Sequence, residues 1–411
     1  MKILFICEEY PPGRNGGIGT MVQTLGRELV RQSHEVYVVG LYPHSYGGLD
    51  FEEDQGVKVW RLRYRTDIGL IGNNFSRKDQ WLWRLLKFSS LLQWDTYFSV
   101  KRLFRFIRKL VDKEKIDVIE MSDWNTFFQH SFLTIKTPSF EVPLIVKFNG
   151  SYSYFQREMG LPLKRYVYRS EYYQMHRADA LCSVSRYTAA KTALLFRLHN
   201  PIEILYNSIN IPLQNPAKAR EKKIIFTGTL IRKKGIYSLV KAWNVVSKKH
   251  PDMALDIYGK GHVHELTALL EPTVTSTVHF HGHVSREKLF EELSSAIAAV
   301  FPSYAECFAF APLEAMAVGC PVINSSRSSG PELITDQKNG LLIDPDDVEG
   351  LSRAILLMLE NEDLRHQMAL EGRRTIEMHF DVRDSVKQHV IFYQRISDQF
   401  KSDKKTKINQ T

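Results

Sequence analysis

Short apolar segments alternate with longer amphipathic segments along this chain of 411 residues. In the first half, strands are predicted at residues 2–7, 35–40, 57–63, 118–121, 144–148, 180–184 and 202–206. A second series has strands at residues 223–227, 254–259 and 278–281, between helices at 235–249, 264–271 and 286–295. Regular alternation of strand and helix is typical of a doubly wound parallel sheet. The sequence therefore predicts an α/β fold that contains two such sheets.

The boundary between the two series is predicted at residues 207–222, a polar stretch with two prolines. A chain of this length is long enough to bury two cores. We therefore predict a first domain at residues 1–206, a hinge at 207–222 and a second domain at 223–379. The final segment, 401–411, reads KSDKKTKINQT and is predicted to be a disordered tail.

The N-terminal sequence, MKILFICEEYPP, reads as a first strand rather than a signal peptide, because two acidic residues follow a short apolar run. No segment has the roughly 18 uncharged apolar residues that are needed to cross a bilayer. The four cysteines lie in apolar or small-residue surroundings without metal-ligand spacing, so we expect them to be reduced and buried. These features predict a cytoplasmic protein.

The net charge of +9 is concentrated in residues 61–115, where 14 Lys and Arg face five Asp and Glu. Residues 97–110 read as a basic amphipathic helix, and four tryptophans occur between residues 60 and 94. We expect its apolar stripe to pack on the domain core. Docking of the segment on an anionic membrane, at the inner face of the plasma membrane, stays open as an alternative. No nucleic-acid-binding motif is recognisable, so nucleic acid is not an expected partner.

Residues 300–345 are the most informative stretch for function. An apolar strand ends near Pro302, a polar loop carries Glu306, and a helix with Glu314 in its first turns ends before Gly319. The carboxyl end of a strand is where open α/β sheets bind ligands. A carboxylate can accept hydrogen bonds from a vicinal diol, while the backbone N–H groups of residues 308–311 can face an anion at the helix start. This combination is suited to a nucleotide diphosphate sugar.

Two glycine-containing turns are further candidates for an anion site. In the sequence PPGRNGGIGT, Gly16 and Gly17 precede the first helix and allow a close backbone approach to a ligand. In FTGTLIRKKG, Gly228 permits a turn, and Arg232, Lys233 and Lys234 bring cations to the point where a strand meets a helix. Fixed cations there would stabilise the charge that a diphosphate leaving group gains in the transition state. A solvated basic turn is the alternative.

The stretch around Glu306 and Glu314, with its AMAVGCPV continuation, resembles the donor-binding signature of family 4 retaining glycosyltransferases. The resemblance implies the GT-B fold: two Rossmann-like domains that face a cleft, and a C-terminal helix, here residues 380–400, that crosses back to the first domain. Glu306 would contact sugar hydroxyls and Glu314 the ribose. In this family an Arg usually follows the glycine where Thr229 stands, and many members have a His in place of Asn149.

The resemblance assigns catalytic roles to Glu306, Lys234 and Asn149. It assigns donor binding to Gly16, Gly17, Gly228, Thr229, Arg232, Lys234, Phe308, Ala309, Phe310, Ala311 and Glu314. The resemblance favours transfer without a metal, and no other cofactor is expected. His262 with His264, and His281 with His283, have strand-like spacing but no third ligand in the sequence, and we interpret them as structural.

The expected activity is transfer of a hexose from a UDP- or GDP-sugar to a hydroxyl of a glycan or lipid-linked glycan, with retention, in cell-surface polysaccharide synthesis. A nucleotide-sugar epimerase or a phosphorylase of the same fold is an alternative. A non-catalytic glycan-binding subunit is another, because Thr229 and Asn149 depart from the family pattern.

Overall fold

The computed structural model describes residues 1–13, 16–65, 91–212 and 220–409. Contacts divide the chain into two compact units. The first contains residues 1–184, 188–206 and 385–411, and the second contains residues 185–187 and 207–384. In the described parts of the chain, no helix combines the length and the apolarity that a bilayer span requires.

The first unit is built on a sheet of eight strands. They are β1 (Lys2–Ile6), β2 (Glu35–Tyr42), β3 (Phe51–Asp54), β4 (Val57–Arg63), β5 (Val118–Ser122), β6 (Leu144–Phe148), β7 (Ala180–Ser183) and β8 (Ile202–Ile204). Their order is β3-β4-β2-β1-β5-β6-β7-β8. All neighbours are parallel except β3 and β4, which form an antiparallel hairpin. The sequence prediction of a wholly parallel sheet missed β3, whose turn at Gln55 and Gly56 has positive φ at both positions.

The helices of this part of the chain connect the parallel strands, as parallel neighbours require. They are α1 (Gly17–Arg31), α2 (Leu91–Glu114), α3 (Thr126–His130), α4 (Tyr152–Glu158), α5 (Arg165–Arg177) and α6 (Arg186–Phe196). The predicted apolar stripe of α2 is buried in the core, through Val100, Leu103, Phe104, Ile107 and Leu110. The expectation that this stripe packs on the domain is confirmed. Residues 66–90 of the predicted basic segment lie outside the described residues.

The second unit has a sheet of six strands, all parallel. They are β9 (Glu221–Thr227), β10 (Ala254–Tyr258), β11 (Val278–Gly282), β12 (Ala296–Phe301), β13 (Val322–Ser325) and β14 (Leu341–Ile343), in the order β11-β10-β9-β12-β13-β14. Its helices are α7 (Ile236–Lys249), α8 (Val263–Thr267), α9 (Arg286–Ser295), α10 (Phe310–Ala317), α11 (Gly330–Leu333), α12 (Val348–Glu360) and α13 (Glu362–His379). Trp243 is fully buried in its core and donates its indole N–H to Thr277 Oγ1 at 2.9 Å.

In both sheets, the chain first adds strands on one side of the first strand and then adds the later strands on its other side. In the first unit the reversal lies between β1 and β5, and in the second between β9 and β12. At such a switch point the two following loops leave in opposite directions and open a crevice at the carboxyl ends of the strands. The topology of the second unit therefore places the loop after β9 beside the loop after β12. These loops carry Lys234 and Glu306.

The last helix, α14 (Val382–Asn409), starts in the second unit, and its residues from Ser385 onward belong to the first. Tyr393 in this helix is fully buried and donates its hydroxyl to Glu120 Oε2 at 2.6 Å. The helix continues through residues 401–409, for which a disordered tail was predicted. Contacts such as the ion pair of Lys404 with Glu141 accompany this extra length.

Candidate active site

The loop between β9 and α7 is fixed by one glycine. Gly235 has φ 70°, and a Cβ on it would lie 1.7 Å from the carbonyl oxygen of Pro302 at the end of β12. The backbone N–H of Tyr304 donates to the carbonyl oxygen of Lys233 at 2.8 Å, which joins the same two loops a second time. Only a residue without a side chain permits this close approach. As a result, the Lys233–Lys234 turn lies directly against the loop that follows β12.

Lys234 and Glu306 meet in this contact. Lys234 Nζ lies 2.5 Å from Glu306 Oε1, and both side chains are more than two-thirds buried. Burial alone would raise the pKa of Glu306, but the charges of Lys234 and Lys233, with hydrogen bonds from Lys234 and Ser303, outweigh it. The pKa of Glu306 is therefore held below its usual value. The structure thus brings together two of the three predicted catalytic residues.

Lys233, rather than Arg232, is the second cation next to Glu306. Burial lowers the pKa of Lys233, and the charge of Glu306 opposes that effect. Arg232 is exposed, and its guanidinium lies 4.6 Å from the centre of the Tyr237 ring. Two lysines and one carboxylate leave a net charge of +1, which favours an anionic ligand. Sequence reasoning could not separate the three consecutive cations, because only the turn conformation decides where each side chain points.

Helix α10 presents its N-terminus beside Glu306. It starts at Phe310, and its N-cap residue Ala309 has no side-chain oxygen to accept from the first-turn N–H groups. Pro312 carries no N–H at all. The remaining N–H groups and the helix dipole suit a phosphate or a sugar oxygen at this end. Phe308, Ala309, Phe310 and Ala311 therefore lie at or just before this helix start, and their contact with a donor stays a prediction.

Glu314 lies on α10, one turn further along, and has a partner that sequence analysis missed. Arg286 Nε, from the first residue of α9, lies 3.0 Å from Glu314 Oε1. Burial raises the pKa of Glu314, and the charge of Arg286 partly opposes this. The only sequence signal for Arg286 is its position directly after Ser285, which caps α9. Glu314 is therefore a buried carboxylate whose single described ion-pair partner is Arg286.

A narrow pocket adjoins Glu306 on the side of β13. Its lining includes Ser303, Phe308, Ala309, Asn324 and Ser325. Asn324 and Ser325 end β13 and were not selected from the sequence. Their position at the carboxyl end of a strand that neighbours β12 is the signal that could have identified them. Hydroxyl and amide groups of this kind can bind the hydroxyls of a sugar.

Gly228 and Thr229 form the turn directly after β9. Gly228 has φ 150°, and its N–H donates to the carbonyl oxygen of Tyr258 at 2.9 Å. A Cβ on Gly259 would lie 1.8 Å from the Gly228 carbonyl oxygen, so the two strand ends are closely packed. Thr229 is exposed. The position where the family pattern usually has Arg is thus at the surface of the turn.

The predicted glycine loop of the first unit binds a carboxylate of the protein itself. The N–H of Gly16 donates to Glu9 Oε2 at 3.1 Å. Burial raises the pKa of Glu9, although hydrogen bonds from the Gly16 and Gly19 N–H groups oppose that. Gly17 is the first residue of α1. The N-terminal end of α1 therefore already faces a negative group, which sequence reasoning did not anticipate.

Asn149 is part of a buried network in the first unit. Its backbone N–H donates to Asp123 Oδ1 at 2.7 Å, and its side-chain amide donates to Ser122 Oγ at 3.1 Å. Burial raises the pKa of Asp123 to about 7, although several backbone N–H groups oppose it. These hydrogen bonds hold the loop that follows β6 against the end of β5, and the predicted catalytic role of Asn149 stays a prediction.

The chain matches two family models, one for each part. Residues 208–375 match the model described as "Glycosyl transferases group 1", and residues 15–212 match "Glycosyltransferase Family 4". A glycogen synthase of Mycobacterium tuberculosis is 25% identical over 400 residues, which cover 93% of this chain and 91% of that protein.

Solved structures agree on the fold. Sucrose-phosphate synthase from Thermosynechococcus elongatus superposes with a TM-score of 0.74 at 18% identity and covers 96% of this chain and 98% of its own. The Anabaena protein HepE, in complex with UDP and glucose, has a TM-score of 0.70 at 16% identity, with 96% and 100% covered. The predicted GT-B fold is therefore confirmed. The chain belongs to the group 1 glycosyltransferases of the family 4 type.

Proposed function

We propose that this glycosyltransferase transfers a hexose from a UDP- or GDP-sugar to a hydroxyl of a glycan or a lipid-linked glycan, with retention of configuration, in the synthesis of a cell-surface polysaccharide. The observation that carries the proposal is the buried group of Lys233, Lys234 and Glu306 at the switch point of the second sheet. The group lies next to an uncapped helix N-terminus. A diphosphate needs cations and N–H groups together, and this arrangement supplies both.

Each residue then has a distinct task. The Lys234 ammonium has three donors, of which one is directed to Glu306, so two remain for diphosphate oxygens. Lys234 would stabilise the negative charge that develops on the leaving group as the sugar bond breaks. Glu306 holds Lys234 in place and accepts hydrogen bonds from sugar hydroxyls. It is not assigned as a nucleophile, because its carboxylate is already paired with the Lys234 ammonium.

Glu314 supplies the contact to the nucleoside. A buried carboxylate can accept two hydrogen bonds from the 2′- and 3′-hydroxyls of a ribose. Arg286 partly opposes the effect of burial on the pKa of Glu314 and orients its carboxylate while no ligand is bound. HepE, whose structure contains UDP and glucose, shares the fold and supports a nucleoside diphosphate sugar as the donor class.

The test is calorimetry of the purified protein against UDP, GDP, ADP and their sugar conjugates. We expect one nucleoside diphosphate to bind in the micromolar range. The Glu314→Ala variant should weaken this binding by about 1.5–3 kcal/mol, the value of a hydrogen bond to a charged group. Exposed Glu349, on α12, is the matched control, and Glu349→Ala should bind as the wild type does. No binding of any nucleotide, or equal binding by the Glu314 variant, would contradict the proposed donor site.

The start of α2 would bind an anionic membrane surface, where a lipid-linked acceptor is located. Leu91, Trp94 and Phe98 at the start of α2 are exposed, and Lys101 and Arg105 follow on the exposed face of the same helix. Exposed aromatic and basic groups together favour an anionic lipid surface. Flotation with anionic liposomes at low salt tests this, and we expect the double variant Trp94→Ser, Phe98→Ser to float less. Failure of the wild type to float would remove the membrane from the proposal.

A further inference from the structure

Three potential metal ligands meet at the edge of the second sheet. Asp256 lies in the middle of β10, and His279 and His281 lie on β11, which is the edge strand. Asp256 is directly opposite His279 in the parallel register. The register then shifts after Ile257, so that Tyr258 pairs with Gly282 and His281 is skipped. Such an irregularity redirects side chains and is frequent at sheet edges.

The three side chains converge on one point. His279 Nδ1 lies 2.9 Å from Asp256 Oδ1, and His281 Nε2 lies 3.0 Å from the same oxygen. All three ligand atoms are within 4.8 Å of one another. In a tetrahedral zinc site with bonds of about 2.0–2.1 Å, ligand atoms are about 3.3 Å apart. The present spacing is thus within a few tenths of an ångström of that value for two of the three pairs.

The cluster is also held in orientation. The ring of His281 stacks on Tyr258 with a centroid distance of 4.6 Å and an interplanar angle of 12°. Asp256 is only 8% exposed. Its ion-pair partners among the described residues are the two histidines, and no described Lys or Arg pairs with it. A divalent cation would bring to this buried carboxylate the full positive charge that no described Lys or Arg supplies.

We propose that Asp256, His279 and His281 form a binding site for a divalent transition metal ion, with Zn²⁺ the best match. Two imidazole nitrogens and one carboxylate oxygen are a zinc ligand set, and the half-exposed histidines leave a fourth position for water. Ca²⁺ and Mg²⁺ fit less well because they prefer six or more oxygen ligands. His281 was interpreted from the sequence as structural because its third partner, Asp256, lies 25 residues away in the chain.

The site belongs to the edge of the sheet and lies on strands other than those that lead to the proposed donor site. Its ligands are on β10 and β11, whereas Lys234 and Glu306 follow β9 and β12. A metal ion bound there would link the edge strand to its neighbour by bonds that do not depend on main-chain pairing. Metal binding to the folded state alone raises stability by mass action. The proposed ion therefore stabilises the fold, on strands other than those that lead to the proposed donor site.

The experiment uses the full chain without an affinity tag, after treatment with EDTA. Zn²⁺ is titrated by calorimetry, and Co²⁺ by the visible absorption that a tetrahedral site gives. We expect one ion per chain and a higher thermal unfolding temperature with Zn²⁺. His279→Gln and His281→Gln should each weaken Zn²⁺ binding by roughly tenfold or more, as loss of a ligand or of its orienting partner does. His366→Gln, an exposed histidine on α13, is the matched control and should bind as the wild type does.

Two results would overturn the proposal. One is the absence of stoichiometric Zn²⁺ binding by the wild type. The other is equal loss of binding in the His366 variant, or no loss in the His279 and His281 variants, since the ion would then sit elsewhere. Circular dichroism of each metal-free variant verifies that it is folded. Should a histidine variant fail to fold, Asp256→Asn takes its place, because Asn can still accept a hydrogen bond but carries no charge for the metal.

Discussion

Lys234 is the side chain whose removal should affect activity most directly. In Lys234→Ala, the cation that faces the leaving diphosphate is lost, and Glu306 stays buried with less of its compensating charge. We expect kcat/KM to fall about 10²- to 10³-fold, as for loss of one preorganised group that stabilises transition-state charge. Steady-state kinetics with the preferred donor measures the effect.

Arg232→Ala is the control from the same turn. Because its guanidinium is exposed and packs on Tyr237, we expect kcat/KM to change by no more than about threefold, which is within the range of most surface substitutions. A loss as large as that of Lys234→Ala would show that Arg232 reaches the diphosphate. The assignment of Lys233 as the second cation would then be wrong.

At the residue scale, the sequence indicated candidate functional side chains better than it indicated the residues that contact them. Glu306 and Lys234 were selected from separate motifs, 72 residues apart, and the structure joins them in one ion pair. Arg286, by contrast, lies in a helix with no motif, so its pairing with Glu314 could not be foreseen. Glu9 was missed for the same reason, since a carboxylate that binds a loop of its own chain has no distinctive spacing.

At the scale of structural elements, Gly235 holds the turn that carries Lys234 against the end of β12. Gly235→Ala would place a Cβ within 1.7 Å of the Pro302 carbonyl oxygen, and φ is in the left-handed region. The loop must then move away from β12 and take Lys234 with it. We expect a loss of about 1–3 kcal/mol in the free energy of unfolding and at least tenfold weaker donor binding. Denaturant unfolding and calorimetry measure the two effects.

The control variant Gly319→Ala separates the effect of left-handed backbone strain from the effect of the contact between Gly235 and Pro302. Gly319 has φ 72°, almost the same as Gly235, but no heavy atom lies within 4 Å of a Cβ built on it. This variant should lose up to about 1 kcal/mol from the left-handed backbone alone and keep normal donor binding. If both variants bound the donor equally, the approach of Gly235 to Pro302 would not be what positions Lys234.

Strands that carry an apolar signal of their own were predicted with accurate bounds. The structure has β4 at Val57–Arg63 and β6 at Leu144–Phe148, where the sequence predicted 57–63 and 144–148. β3 (Phe51–Asp54) was missed, because two of its four residues are Glu and one is Asp, and it is paired only by virtue of its hairpin. Its stability comes from β4, which a local pattern does not reveal.

For the whole molecule, the sequence predicted two α/β units because the alternation of strand and helix starts again after residue 222. The strand order could not be predicted from the sequence, because it follows from the handedness of crossover connections and from packing. The sequence also predicted disorder after residue 400, where α14 continues to Asn409. A polar composition alone cannot show that the preceding helix is anchored by buried Tyr393 and His389.

Three carboxyl groups of the first unit contribute to the pH dependence of stability. Burial raises the pKa of Glu8 and Glu171 to about 8 and that of Asp123 to about 7, against opposing hydrogen bonds. In the unfolded chain these carboxyls titrate near pH 4, so between pH 4 and 8 the folded state binds more protons. The stability that these three groups contribute is greatest below the unfolded pKa values. It falls as pH rises to the folded pKa values, by at most about 1.4 kcal/mol per pH unit for each group.

The comparison is best made between pH 6.5 and 8.5. Burial lowers the pKa of His389. Protonation of this imidazole therefore destabilises the folded protein, but only as the pH falls below about 6.5. In that window we expect the thermal unfolding temperature of the wild type to fall with pH, and Glu171→Gln to fall less steeply. Glu349→Gln, with a side chain that is 90% exposed, should follow the wild type. A parallel slope for Glu171→Gln would mean that Glu171 is ionised in the folded protein, with the neighbouring Ser153 N–H compensating for its burial.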